Sequence, residues 1–97
     1  MENSTNQEIE ITSVYFRNSN NKQRLESYPK RMVYKGREYS FLEDGWRYLV
    51  QSGQELVKLF DMSDGNTKYR LKQDQSNHWT LIAMRAQKLD FKVRTFA

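Results

Sequence analysis

The sequence predicts a small, mainly β protein, a single antiparallel sheet or partly open barrel built from consecutive hairpins. Three observations point there. Apolar and polar residues alternate with period two in short runs such as Trp46, Tyr48, Val50 and Leu89, Phe91, Val93. Those runs are rich in β-branched and aromatic residues, which suit a pleated, half-buried surface. Turn spellings with glycine separate them, at Lys35-Gly36-Arg37, Ser52-Gly53 and Asp64-Gly65.

Along the chain, residues 1–7 carry no apolar side chain after the initiator and are expected to form a mobile tail. A single small domain is expected over residues 8–97. Ile9-Glu-Ile-Thr-Ser-Val-Tyr-Phe16 reads as the first strand. The polar tract Asn18 to Arg24 has no periodicity, and Pro29 disfavours helical geometry at Tyr28, so residues 17–30 are expected to form a long basic loop. Met32-Val-Tyr34 and Glu38 to Leu42 then flank a turn in which Gly36 takes a positive φ.

Residues 45–60 hold two competing readings. Ser52-Gly-Gln-Glu55 spells a capping box, and Leu56, Val57 and Phe60 would form the stripe of a short helix. The alternation of Trp46, Tyr48 and Val50 before Ser52-Gly53 favours a hairpin instead. Leu56 to Gln73 is the best-specified unit. A two-residue turn at Asp64-Gly65 predicts that Met62 faces Thr67, Phe60 faces Tyr69 and Asp61 faces Lys68. Trp79 to Met84 is apolar enough for a central strand, and Leu89 to Phe96 alternates as a last one.

Ninety-seven residues support one core and leave little interior for a deep cleft, so a surface groove is the expected kind of site. The absence of cysteine excludes a disulfide framework and a thiolate zinc site. No apolar run approaches the roughly 20 residues that span a bilayer, and the polar, acidic N-terminus is unlike a signal peptide. A cytoplasmic chain with no membrane partner is expected.

Charge is segregated. Arg17, Lys22, Arg24, Lys30, Arg31, Lys35 and Arg37 face one acid, Glu26, in their segment, a local +6 within a chain of net +4. Lys68, Arg70 and Lys72 lie on one face of a strand, with about 6 to 7 Å between successive side chains, close to the phosphate spacing of an extended nucleic-acid strand. A solvated outer face is the simpler account of that triplet taken alone. Tyr28 and Tyr34 stand among the cations, and core packing or plain edge exposure is the simpler role for both, as core packing is for Trp46 and Trp79. Tyr34 is nevertheless carried as a stacking candidate.

Asp61-Met-Ser-Asp-Gly65 is similar in spelling to the D-x-S-x-x-G element of PilZ domains, which follows an R-x-x-x-R pair. Here Asn66 stands at the final glycine, and Lys35 stands four residues after Arg31. A hairpin turn accounts for the segment, and it lacks the later carboxylates of a calcium loop. His78 is the lone histidine, and no base accompanies the serines and threonines, so neither an enzyme, a metal site nor a cofactor is expected.

The function expected is a non-enzymatic binding module. Cations release counterions from phosphates and exposed rings stack on unpaired bases, which favours single-stranded nucleic acid at Arg17, Lys22, Arg24, Lys30, Arg31, Tyr34, Lys35, Arg37, Lys68, Arg70 and Lys72. The alternative is a protein-interaction or inhibitor module that sets the basic loop against an acidic protein surface and uses an edge strand. A monomer or an edge-strand homodimer fits either reading.

Overall fold

A computed structural model describes residues 2–18 and 24–86, with side chains from Asn6 onward. Seven strands run through them: β1 (Glu2–Asn18), β2 (Leu25–Tyr34), β3 (Arg37–Ser40), β4 (Trp46–Ser52), β5 (Glu55–Ser63), β6 (Thr67–Gln73) and β7 (Trp79–Ala86). They form one antiparallel sheet in the order β3-β2-β1-β7-β6-β5-β4, which does not close into a barrel. Residues 45–60 are a hairpin without helix, as the alternation predicts, and β7 is the central strand, as its apolar run predicts. The expected strand over residues 89–96 lies outside the described residues.

One long strand makes the sheet fold over. β1 pairs with β7 through Glu2–Ile9 and with β2 through Glu10–Asn18. Its register shifts between Ser4 and Gln7 and again between Ile11 and Val14, and Asn6 sits at φ 49°. Bulges of this kind bend a strand and increase its twist. The two halves of the sheet therefore face one another across a core of Ile9, Tyr15, Tyr28, Met32, Tyr34, Phe41, Phe60, Met62, Tyr69, Leu71 and Leu81. Ring contacts cross that core, with Tyr28 to Phe60 at 6.0 Å and Tyr39 to Tyr69 at 5.8 Å.

The structure corrects the long basic loop. Arg17 pairs with Glu26 and Asn18 with Leu25, so most of residues 17–30 are strand and the connection shrinks to 19–24, of which 19–23 lie outside the described residues. Pro29 is tolerated because β3 pairs only with Arg31–Tyr34, leaving its side of β2 without a strand to bond, and because the ladder with β1 shifts register beside its partner Val14. Glu2 to Gln7, expected outside the domain, belong to β1 and run beside β7.

The β5–β6 hairpin keeps its faces but slides by two residues. Gly65, at φ +99°, is the first central residue of the turn and Asn66 the second, so Met62 faces Tyr69, Phe60 faces Leu71 and Asp61 faces Arg70. A slide of two preserves each residue's side of the sheet. Asp64 holds the turn by accepting from the amides of Asn66 and Thr67 at 2.8 Å and from the Tyr69 hydroxyl at 2.8 Å. Burial raises the Tyr69 phenol, and its bond to Asp64 adds to that rise. At the other hairpin, Lys35 and Gly36 both take positive φ, as a type I′ turn requires.

The link from β3 to β4 ties the two sheet edges together at one end. Leu42 donates its amide to the Ser63 carbonyl, and the Gly45 carbonyl accepts from Arg17 at 2.7 Å. A side chain at Gly45 would run into the Met62 sulfur, so glycine is required by close approach.

Candidate nucleic-acid interface

Strand alternation decides which way each cation points. On β2 the residues Tyr28, Met32 and Tyr34 face the core, and Lys30 shares their side. Its amine donates to the Phe41 carbonyl at 3.1 Å, pairs with Glu43 at 3.2 Å and lies 6.0 Å from the centre of the Tyr15 ring. Arg17 also turns inward, its guanidinium 4.3 Å from the centre of the Tyr28 ring. Both cations are thus engaged with core rings and with the link from β3 to β4. Tyr34 is buried, so its ring cannot stack on a base.

The remaining cations of this segment are dispersed. Arg24, Arg31 and Arg37 are exposed, Lys35 lies over the Tyr34 ring at 5.4 Å, and Lys22 is outside the described residues. Arg31 alternates with core residues on β2, whereas Lys68, Arg70 and Lys72 alternate with the core residues Tyr69 and Leu71 on β6. These two strands belong to halves that pack face to face. Their outer sides consequently look away from each other, and the long basic segment does not merge with the β6 triplet.

What the β6 cations meet instead is aromatic. Cross-strand register lays out one row as Trp46, Asp61, Arg70 and Ala83, a second as Tyr48, Leu59, Lys72 and Thr80, and pairs Lys68 with Arg85. Rows are about 6 to 7 Å apart along the strands, and neighbouring strands about 4.8 Å apart. Trp46, expected in the core, is 68% exposed: it lies on the outer side of the edge strand β4, and among the described residues no second layer covers it there. Trp79 packs against the core as expected.

Trp46, Tyr48, Asp61, Lys68, Arg70, Ala83 and Arg85 share an open cleft of about 520 Å³. Its charge is organised around Asp61. That carboxylate accepts from Arg70 Nε at 2.7 Å, from a second Arg70 nitrogen at 2.8 Å and from the Tyr48 hydroxyl at 3.0 Å. The Arg70 bonds hold the Asp61 carboxyl below its usual range, and the bond to Asp61 raises the Tyr48 phenol. Arg70 is thereby fixed in place and partly neutralised. Lys68 adds to the lowering of the Asp61 carboxyl without reaching it as an ion pair, and neither Lys68 nor Arg85 forms a salt bridge with a described side chain.

Of the cleft residues, Lys68 and Arg70 are among the binding residues expected from the sequence and Arg85 is one of the C-terminal cations read beside them; Trp46 and Tyr48 join them in the structure. The signal for the aromatics was the alternation of Trp46, Tyr48 and Val50, which marks a face without saying whether that face is covered. No group of three or more metal-ligating side chains comes together among the described residues. The chain matches no family model, no curated protein and no solved structure.

Proposed function

We propose that this protein is a non-catalytic module that binds single-stranded nucleic acid on the outer face of β4 to β7. The observation that supports this reading is the exposed Trp46 ring beside Tyr48, in a cleft that also holds Lys68, Arg70 and Arg85. Stacking of an unpaired base on such a ring contributes about 1 to 3 kcal/mol, and cations in reach of the backbone add counterion release. Trp46 and Tyr48 are the stacking platform. Lys68 and Arg85 contact phosphate, while Arg70, held by Asp61, lines the path between them. With stacking and phosphate contact as the main interactions, sequence preference is weak.

Fluorescence anisotropy with labelled single-stranded and duplex oligonucleotides at several salt concentrations tests this. Single strands bind more tightly, and log affinity falls linearly with log salt. Trp46→Ala weakens binding by about 1 to 3 kcal/mol, and Lys68→Ala lowers the salt slope by about 1. Arg31→Ala, on the opposite side, leaves both unchanged. No binding at low salt, or binding indifferent to Trp46 and Lys68, overturns the proposal.

A further inference from the structure

Among the described residues β4 ends the sheet on one side, with β5 as its strand partner. An open edge presents unpaired amides and carbonyls, and proteins blunt such edges with short strands, lysines, prolines or bulges. β4 carries none of these. It is seven residues long, Trp46-Arg-Tyr-Leu-Val-Gln-Ser52, and pairs with β5 without a register shift. Its side chains remain open on both faces, with Trp46 and Tyr48 exposed on the outer one and Leu49, 65% exposed, on the inner one.

The β4–β5 turn determines which backbone groups reach the edge. Ser52 and Glu55 flank the two residues Gly53 and Gln54, and Gly53 has φ +64°. Such a turn closes on a hydrogen-bonded pair, so alternation aims the amides of Trp46, Tyr48, Val50 and Ser52 at β5. The amides and carbonyls of Arg47, Leu49 and Gln51 point outward. Leu49 is the middle residue of the strand, and those three groups are symmetric about it.

We infer that two copies of the chain pair antiparallel through β4, on a two-fold axis at Leu49. In this register Leu49 opposes Leu49 of the second copy and Arg47 opposes Gln51. Each of these is a hydrogen-bonded pair, as the outward amides require. On the outer face Tyr48 opposes Val50, an aromatic and β-branched combination that favours cross-strand packing. The one charged side chain of β4, Arg47, already turns inward to Glu26 at 2.7 Å and meets no like charge.

Neighbouring registers are poorer. Axes at Tyr48 and Val50 also pair the outward amides, but they set Leu49 against Arg47 and against Gln51 in place of a second leucine; axes at Arg47 and Gln51 oppose that cation to its own copy or run Leu49 against Gly53 and shorten the ladder. Around Leu49, the exposed Leu56 of each copy lies diagonally behind the paired leucines, enlarging the apolar contact. The contact is isologous and closes at two copies. It would also bring the two Trp46 and Tyr48 platforms onto one continuous outer face, although nothing in the pairing depends on nucleic acid.

Sedimentation equilibrium of the full chain without nucleic acid tests the inference, alongside Leu49→Lys and Leu49→Glu. The native chain sediments as a reversible dimer, each variant alone as a folded monomer with a native circular dichroism spectrum, and the equimolar mixture of the two variants as a dimer. Restoration by mixing requires position 49 to meet position 49. Should a variant fail to fold, amide exchange on the native chain replaces it, with protection of Arg47, Leu49 and Gln51 rising with protein concentration. A native monomer at millimolar concentration, a dimer that survives in both variants, or exchange at β4 that ignores concentration overturns the inference.

Discussion

The two edges of the sheet are built from different materials. β3 offers four residues, Arg37-Glu-Tyr-Ser40, with two charges and with Thr12 donating to the Glu38 carboxylate at 3.4 Å. β4 offers seven, with a tryptophan, a tyrosine and a leucine exposed and its single charge turned inward. A short, charged strand gives an incoming strand little to pair with, whereas a long, neutral one gives it a ladder and apolar contacts. Both edges hang from the same core, so the difference lies in the surface residues and not in the stability of the strands behind them. Substitutions at increasing distance from that core probe the contrast.

The largest effect comes from removing what both edges share. Phe60 is 1% exposed and touches Tyr28 on one half of the sheet and Trp79 on the other, at 6.0 and 5.3 Å. Phe60→Ala is expected to destabilise the fold by about 3 to 5 kcal/mol in urea unfolding, with β3 and β4 amides losing exchange protection together. Loss of one edge alone would show that the halves unfold separately.

Next comes the ion pair that ties β4 to β2. Arg47 and Glu26 meet at 2.7 Å, and their side chains are only 17% and 22% exposed. Removing one partner leaves the other charge in a partly dry site, for which about 1 to 2 kcal/mol is expected after allowance for the remaining solvent contact. Arg47→Met and Glu26→Gln, singly and together, give that coupling by a double-mutant cycle. β3 should be indifferent to it.

Asp61 supplies a smaller, pH-dependent effect. Arg70 lowers its carboxyl pKa in the folded protein, so the ionised form contributes stability above the ordinary carboxylate pKa, and that contribution disappears as pH falls through the lowered folded value. Asp61→Asn therefore flattens the acid side of the stability curve, with a cost of under about 1 kcal/mol at neutral pH because the pair is partly exposed. It also removes a negative charge from the cleft, so oligonucleotide affinity at low salt should rise. Unchanged affinity would indicate that phosphate does not approach the Arg70 row.

Most strand positions and the alternation of faces were legible in the sequence, because local residue pattern encodes them; the polar stretches 2–7 and 25–30 lack that pattern and become strand only through their pairing with β7 and β1. The β5–β6 hairpin shows where legibility stopped. Asp64-Gly65 marks the turn, but Asp64 is drawn into bonding Asn66, Thr67 and Tyr69, and the central pair moves on to Gly65-Asn66. Coverage of a face was harder still. Tyr34 and Trp46 are both strand aromatics followed by a basic residue, yet one faces the opposing half-sheet and the other faces solvent. Only the fold of β1 decides that. The same long-range packing turns Arg17 and Lys30, which look like free cations in the sequence, into contacts with Tyr28, Gly45, Phe41 and Glu43.

The smallest effect belongs to the β3 edge, and it bears most directly on why the edges differ. Arg37 and Glu38 are both exposed, and Thr12 reaches Glu38 at the long distance of 3.4 Å. Replacing them together, Arg37→Thr with Glu38→Thr, should change stability by no more than about 0.5 kcal/mol, the usual range for exposed positions without a special role. Two causes could keep this edge unpaired, its charges or its length. If charge alone guards it, the double variant gains a new association that persists when Leu49→Lys has disabled β4. If length guards it, the triple variant stays monomeric in the same sedimentation experiment. Length is the expected answer. A four-residue strand supplies few outward amides and carbonyls, and threonine adds no apolar surface comparable to Trp46, Tyr48 and Leu49, so removing repulsion leaves too little attraction to order a second strand.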